Sequence, residues 1–263
     1  MLRFFLSEIR RKVRHQWTWA AFLLFCVLLF CPENTEAGYN LSLGDRFCTL
    51  FLGMPSFIKG VTPVFSIPVS WLLMILACLL PSADLVSGDL EKTGRMNILL
   101  LGSRRKWCVS RYLLSTFYSC FTFSLILIFC YGMTWIEHGD LRLKTTVYLL
   151  DTAGIAVGSD ASKTILLTLL CLITSSIILV ALDFVWNSLI AFFIVICVEV
   201  LSCYLTTPLL VGNGAMVLRG PCGEDALPVS LYIAICLFES AACICFSYLY
   251  FSGKDLIRRR HED

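Results

Sequence analysis

The chain has 263 residues, of which 58% are hydrophobic and 15% charged, and its formal net charge is +2. A soluble domain usually carries about a quarter charged residues, and the long apolar runs here exceed what one soluble core of this length would bury. Net charge itself says nothing about nucleic acid, which is not an expected partner; the placement of charge says more. These features point to an all-α polytopic membrane protein, built as one transmembrane domain over residues 1–263.

Residues 1–16 open the chain with Leu2, Phe5, Leu6, Ile9 and Val13 at helical spacing. Arg3, Glu8, Arg10, Arg11, Lys12 and Arg14 fill the other face, which is the pattern of a basic amphipathic helix lying in the membrane interface. Such a helix serves either as an orientation signal attracted to anionic lipid or as an elbow bracing the first span and touching a cytoplasmic partner. The apolar run that follows has no small-residue cleavage site after Phe30-Cys31-Pro32, so it reads as a retained helix rather than a signal peptide.

A crossing needs about 20 mostly apolar residues, and six candidates emerge: Trp17–Cys31, Val64–Leu80, Val109–Ile136, Thr164–Leu182, Val185–Leu205 and Pro228–Phe251. The first is short and stops at Pro32. The pair around Asp183 leaves almost no loop, so a tight turn capped by Asp183 and Asn187 is expected there. An interrupted or re-entrant segment fits either that turn or the stretch between Thr206 and Leu227. Between spans, Phe47–Phe57 is apolar enough for a short interfacial helix. Asn40-Leu41-Ser42 matches a glycosylation acceptor, a triplet that arises often by chance.

Lysine and arginine divide unequally between the two sides of this arrangement: fifteen fall on the side of the termini and of the loop after span two, and six on the other. The positive-inside rule then places both termini in the cytoplasm of a multi-pass plasma-membrane protein, with residues 251–263 as a cytoplasmic tail. Fourteen cysteines suggest a disulfide framework until they are located. Most lie within apolar stretches, where a thiol acts as a small hydrophobe. Cys31, Cys48 and Cys222 fall in outer loops and are the ones able to pair. Neither Cys243-Ile244-Cys245 nor His15, His138 and His261 form a metal-site pattern, so no metal is expected.

The loop at residues 82–108 carries the functional argument. It runs through acidic, glycine, apolar and basic blocks, from Asp84 through Gly94 and Ile98-Leu99-Leu100-Leu101 to Arg104-Arg105-Lys106. Asp89 or Glu91 suits the start of a short helix and the basic cluster its end. Such a helix presents an apolar knob with charged flanks, as a docking element requires.

Six spans, a basic amphipathic N-terminus and this loop resemble the permease subunit of type-2 ATP-binding-cassette exporters. The matching positions are Asp89 or Glu91, Gly94, Leu99 and Leu100, Ser103-Arg104, and Arg111. The chain departs from the family in having Leu101-Gly102 where a proline often precedes the serine, and in a slightly short spacing from Gly94 to Arg104. The resemblance implies a cytoplasmic coupling helix between spans two and three, seated in a groove of a separate ATPase subunit that holds the ATP and magnesium. It implies further a second permease, identical or homologous, and export of an amphipathic peptide or hydrophobic compound. A plain positive-inside loop is the simpler reading. No Gly-x-x-x-x-Gly-Lys-Ser/Thr occurs, so the chain needs no cofactor of its own and is not expected to be an enzyme.

Glu199 and Glu239 are carboxylates deep inside apolar runs. Ionisable groups at that depth are costly and face the bundle interior. They either line a translocation path or bond neighbouring helices, for instance through Ser202, Ser240 or Asn187. An ion-coupled secondary transporter using these two residues is the alternative, although no internal repeat supports it. An intramembrane enzyme is less favoured, since neither His-Glu-x-x-His nor Gly-x-Ser-x-Gly is present.

Overall fold

The computed structural model describes residues 17–34, 40–56, 67–90, 95–223 and 228–253. The amphipathic N-terminus, the centre of the glycine-bearing loop and the C-terminal tail lie outside them. Every regular element among the described residues is helical, and no strand occurs there.

The apolar runs become α1 (Trp17–Phe30), α3 (Val69–Leu79), α5 (Arg104–Ile136), α7 (Ala161–Val185), α8 (Ser188–Tyr204) and α9 (Val229–Gly253). Shorter helices join them: α2 (Leu43–Leu50), α4 (Arg95–Leu101) and α6 (Val147–Ala153). Among the described residues, four segments are long and apolar enough to cross a membrane, namely Val69–Asp89, Arg104–Ile136, Ala161–Val185 and Val229–Phe251. Two further apolar helices are shorter, Trp19–Phe30 and Ser188–Tyr204. The last of these is the expected fifth span, and it has 17 residues.

Local chemistry sets the boundaries. Thr146, Asp160 and Asn187 each accept a backbone N–H with the side chain at the starts of α6, α7 and α8, which satisfies donors that a helix start leaves orphaned. Gly154 ends α6 with φ of 71°, the left-handed conformation that glycine adopts without penalty. Helix α5 has 33 residues, about 50 Å at 1.5 Å per residue. That exceeds an apolar layer of about 30 Å, so its basic first turns project beyond the apolar layer. The end of the bundle where they lie is here called the basic end.

Two apolar cores fill the bundle. The larger joins α1, α2, α3, the far half of α5 and α7, around Trp71, Phe47, Phe51 and Phe123. The smaller lies at the basic end around Trp107, Tyr112, Phe184 and Phe251, where Trp107 stacks on Phe251 with centroids 5.3 Å apart.

Two expectations are corrected here. The apolar stretch at Phe47–Phe57 is not an interfacial helix: α2 ends at Leu50, and Phe47 and Phe51 are fully buried in the larger core. Asp45 and Arg46, which precede it in α2, are buried too, because polar partners enclose them. Asp45 closes a capping box with Ser42 and accepts bonds from the Thr146 N–H at 2.8 Å and its hydroxyl at 2.7 Å. Arg46 donates to Glu137 at 2.6 Å and to the Pro32 carbonyl at 2.8 Å. Asp183 likewise does not cap the α7–α8 turn beside Asn187. It accepts the Val86 N–H at 2.8 Å and the Ser87 hydroxyl at 2.6 Å, and so anchors the turn at Ser87–Asp89.

All fourteen cysteines are free thiols, including Cys31, Cys48 and Cys222.

Candidate functional site

Two places hold the residues singled out from the sequence. The first is the basic end. The single turn Ser87–Asp89, tied down by Asp183, directs Asp89 into the smaller core, where it is buried. There its carboxylate accepts the Trp107 indole N–H at 3.2 Å and the Asn97 amide at 3.2 Å. It also faces the Arg111 guanidinium at 3.4 Å. Arg111 in turn lies over the Trp107 ring, 5.2 Å from its centroid, a geometry in which the ring face attracts the cation.

This clamp explains how α4 is held. Asn97 fastens the helix to Asp89, so one face is fixed to the bundle. The opposite face carries Met96 and Leu99, exposed at 67% and 80%. Leu100 is on the same helix, and its side chain, like residues Glu91 and Gly94, lies outside the described set. Gly102 then takes φ of 65° to break the helix. Ser103 is the extended residue before α5, without a side-chain capping bond, and Arg104 opens that helix. Arg105 stands over the Tyr248 ring at 5.1 Å from its centroid.

Among the sequence-selected positions, therefore, Asp89 is a buried anchor rather than a partner for the helix dipole. Of those described, Leu99 is the one most offered to the surroundings. Sequence reasoning missed Trp107 and Asn97. Trp107 and Arg111 stand four residues apart, on one helix face, and that spacing was the available signal.

The second place lies toward the other end. Glu199 in α8 is buried, and its Oε1 accepts the Ser175 hydroxyl of α7 at 2.6 Å. Ser240, beside Glu239 on α9, bonds Thr174 of α7 at 3.4 Å. Glu199 and Ser240, the neighbour of Glu239, thus meet α7 on consecutive residues near its middle. Glu199 therefore bonds a neighbouring helix, as one expectation had it, but through Ser175, and the side chains of Ser202, Ser240 and Asn187 are engaged elsewhere. The Ser202 hydroxyl instead donates to the Glu199 backbone carbonyl at 2.5 Å.

Helix α8 ends early. Tyr204 rises about 7.5 Å beyond Glu199, whereas the start of α7 lies about 21 Å beyond Ser175. Residues Val211–Arg219 fill the space left above α8, and Val211 through Val217 are all buried. This plug lies within the stretch between Thr206 and Leu227, one of the two places where an interrupted or re-entrant segment was expected. Arg219 holds it in place with every donor of its guanidinium engaged. Nε bonds the Met54 carbonyl at 3.1 Å, and Nη2 bonds those of Pro55 at 3.1 Å and Cys203 at 2.6 Å. Nη1 donates to the Ser202 carbonyl and to Asn213 Oδ1. The Asn213 amide bonds the carbonyls of Leu205 and Thr207, both at 2.8 Å. Carbonyls at a helix end need such donors, and a cation there also suits the dipole.

No group of three or more histidine, cysteine or acidic side chains that could hold a metal occurs among the described residues.

The chain matches no known protein family, no curated protein and no solved structure.

Proposed function

We propose that this chain is the membrane-embedded permease subunit of an exporter driven by a separate ATPase. In this reading the basic end faces the cytoplasm, all six apolar helices contribute to the span of a plasma-membrane protein, and α4 is the coupling helix. The observation that carries it is the pairing of the buried Asp89 clamp with the exposed Leu99: a short helix fixed rigidly on one face and apolar on the other transmits a push rather than absorbing it.

The order of residues supports the same reading, since the acidic, leucine-pair and Ser103-Arg104 positions follow the pattern of type-2 ATP-binding-cassette permeases. ATP and magnesium would be held by the partner. A second permease, identical or homologous, would complete the path, with Glu199 and Glu239 among its candidate lining residues. The cargo would be an amphipathic peptide or hydrophobic compound. The buried carboxylates favour one other reading, a secondary transporter coupled to an ion.

The test is co-purification of the full chain from membranes of its source cells with an ATP-binding-cassette ATPase, followed by Leu99→Glu. A charge at the centre of an apolar contact costs at least about 2 kcal/mol of binding, roughly thirtyfold in affinity. The ATPase should therefore be lost while the chain remains folded in the membrane. Substrate movement in the purified chain without nucleotide would sink the exporter reading and favour ion coupling.

A further inference from the structure

Glu199 is 2% exposed, and among the described residues only one of its two oxygens, Oε1, has a hydrogen-bond partner; Oε2 is buried without one. What it meets is the plug: a Cβ on Gly212 would lie 2.3 Å from Glu199 Oε2 and 2.3 Å from Ser202 Oγ. The plug therefore seats directly on the carboxyl because residue 212 has no side chain. The Arg219 clip is bonded to the carbonyl of the same Ser202 and to the side chain of Asn213, the residue after Gly212.

We propose that Glu199 is a proton-binding site whose occupancy decides whether the Val211–Arg219 plug stays seated. A neutral carboxyl is the form that a dry, half-satisfied site tolerates. The contact with Ser175 serves it equally well, since the hydroxyl both donates and accepts. When the proton departs to bulk solvent, the carboxylate is left with one hydrogen bond in a place that cannot solvate it. The cation engaged on the same residues is Arg219. Its turn toward the carboxylate releases Asn213, the end of α8 and the Met54–Pro55 carbonyls together. No covalent or redox change is involved; one proton departs and one ion pair forms. This inference stands independently of the exporter reading.

Other titratable groups lie around the site. Cys171 on α7 has its sulfur where a Gly214 Cβ would come within 2.7 Å, Cys203 is on α8, and α9 brings Tyr232, Cys236 and Glu239. Helix α3, which also packs against α8, brings the thiol of Cys78 and no carboxylate. Glu239 is thus the other carboxyl to be distinguished.

The experiment is hydrogen–deuterium exchange on the full chain in nanodiscs, from mildly acidic to mildly alkaline buffer, corrected for intrinsic exchange. The amides of residues 205–220 should exchange about tenfold faster on the alkaline side. Glu199→Gln, which keeps the neutral shape, should stay protected throughout, and Glu199→Asp should retain the response with a displaced midpoint. The Asp variant decides the matter if the Gln variant does not fold. A wild-type chain without pH response overturns the proposal. So does a response that survives Glu199→Gln, or one removed by Glu239→Gln alone.

Discussion

Glu137 ends α5, outside the apolar run, and shows how a residue at the helix boundary sets acid sensitivity. Burial opposes its charge, but the hydrogen bond from Arg46 and the Asn34 N–H at 2.9 Å outweigh it and hold the carboxyl below its ordinary value. A lowered value in the folded state means that the charged form is the one stabilised by folding. That contribution is complete above the ordinary carboxylate range, near about 4, and is lost as pH falls through the lowered folded value. Thermal melts in detergent should therefore lose stability in acid, and Glu137→Gln should flatten that part of the profile. An unchanged acid limb in the variant would assign the loss to other groups. Neither Glu137 nor Arg46 stands out in the sequence. They are 91 positions apart, and only the fold reveals that a basic residue assigned to an outer loop has become a buried clip. Arg219 escaped notice for the same reason: its partners are mostly backbone carbonyls, which carry no residue-type signal.

At the scale of elements, the basic end consists of one turn, one short helix and the first turns of α5, held through Asp89. Asp89→Ala would leave Arg111, itself 1% exposed, facing a vacated site. Removing one member of a buried pair costs about 3–5 kcal/mol, so the melting temperature should fall. Residues 95–101 should also lose exchange protection well before the rest of the bundle. Equal loss across the whole chain would show that the clamp supports the bundle and not α4 in particular. The apolar helices were legible from run length alone, since a stretch of some 20 apolar residues has few soluble uses. Their details were less so. Helix α5 starts at Arg104 rather than Val109 because a helix continues past the apolar layer when its polar turns find partners, here Asp89 and Tyr248. Helix α8 proved short because the plug supplies donors to its last carbonyls, an arrangement with no periodicity to announce it. The loop at residues 82–108 was visible as a pattern of charge, glycine and leucine, but which of its described residues is anchor and which is surface depended on Trp107 and Asn97.

For the whole molecule, the bundle has two differently built ends. One carries the short helix α4, tethered through Asn97 to Asp89, with Met96 and Leu99 exposed; the other is closed by a plug clipped through Arg219, with Glu199 beneath it. An ATPase acting on the first end and a gate at the second would be linked by α5 and α7, which extend between both cores. The same two helices carry the Trp107 and Phe184 edge contact at one end, with centroids 5.9 Å apart, and Ser175 nearer the other. The most direct test of the central claim places a photo-crosslinking amino acid at position 99 of the full chain in membranes of its source cells. The account predicts a single nucleotide-sensitive adduct with a protein bearing a Gly-x-x-x-x-Gly-Lys-Ser/Thr motif. Adducts with lipid alone, in cells where the chain is functional, would contradict it.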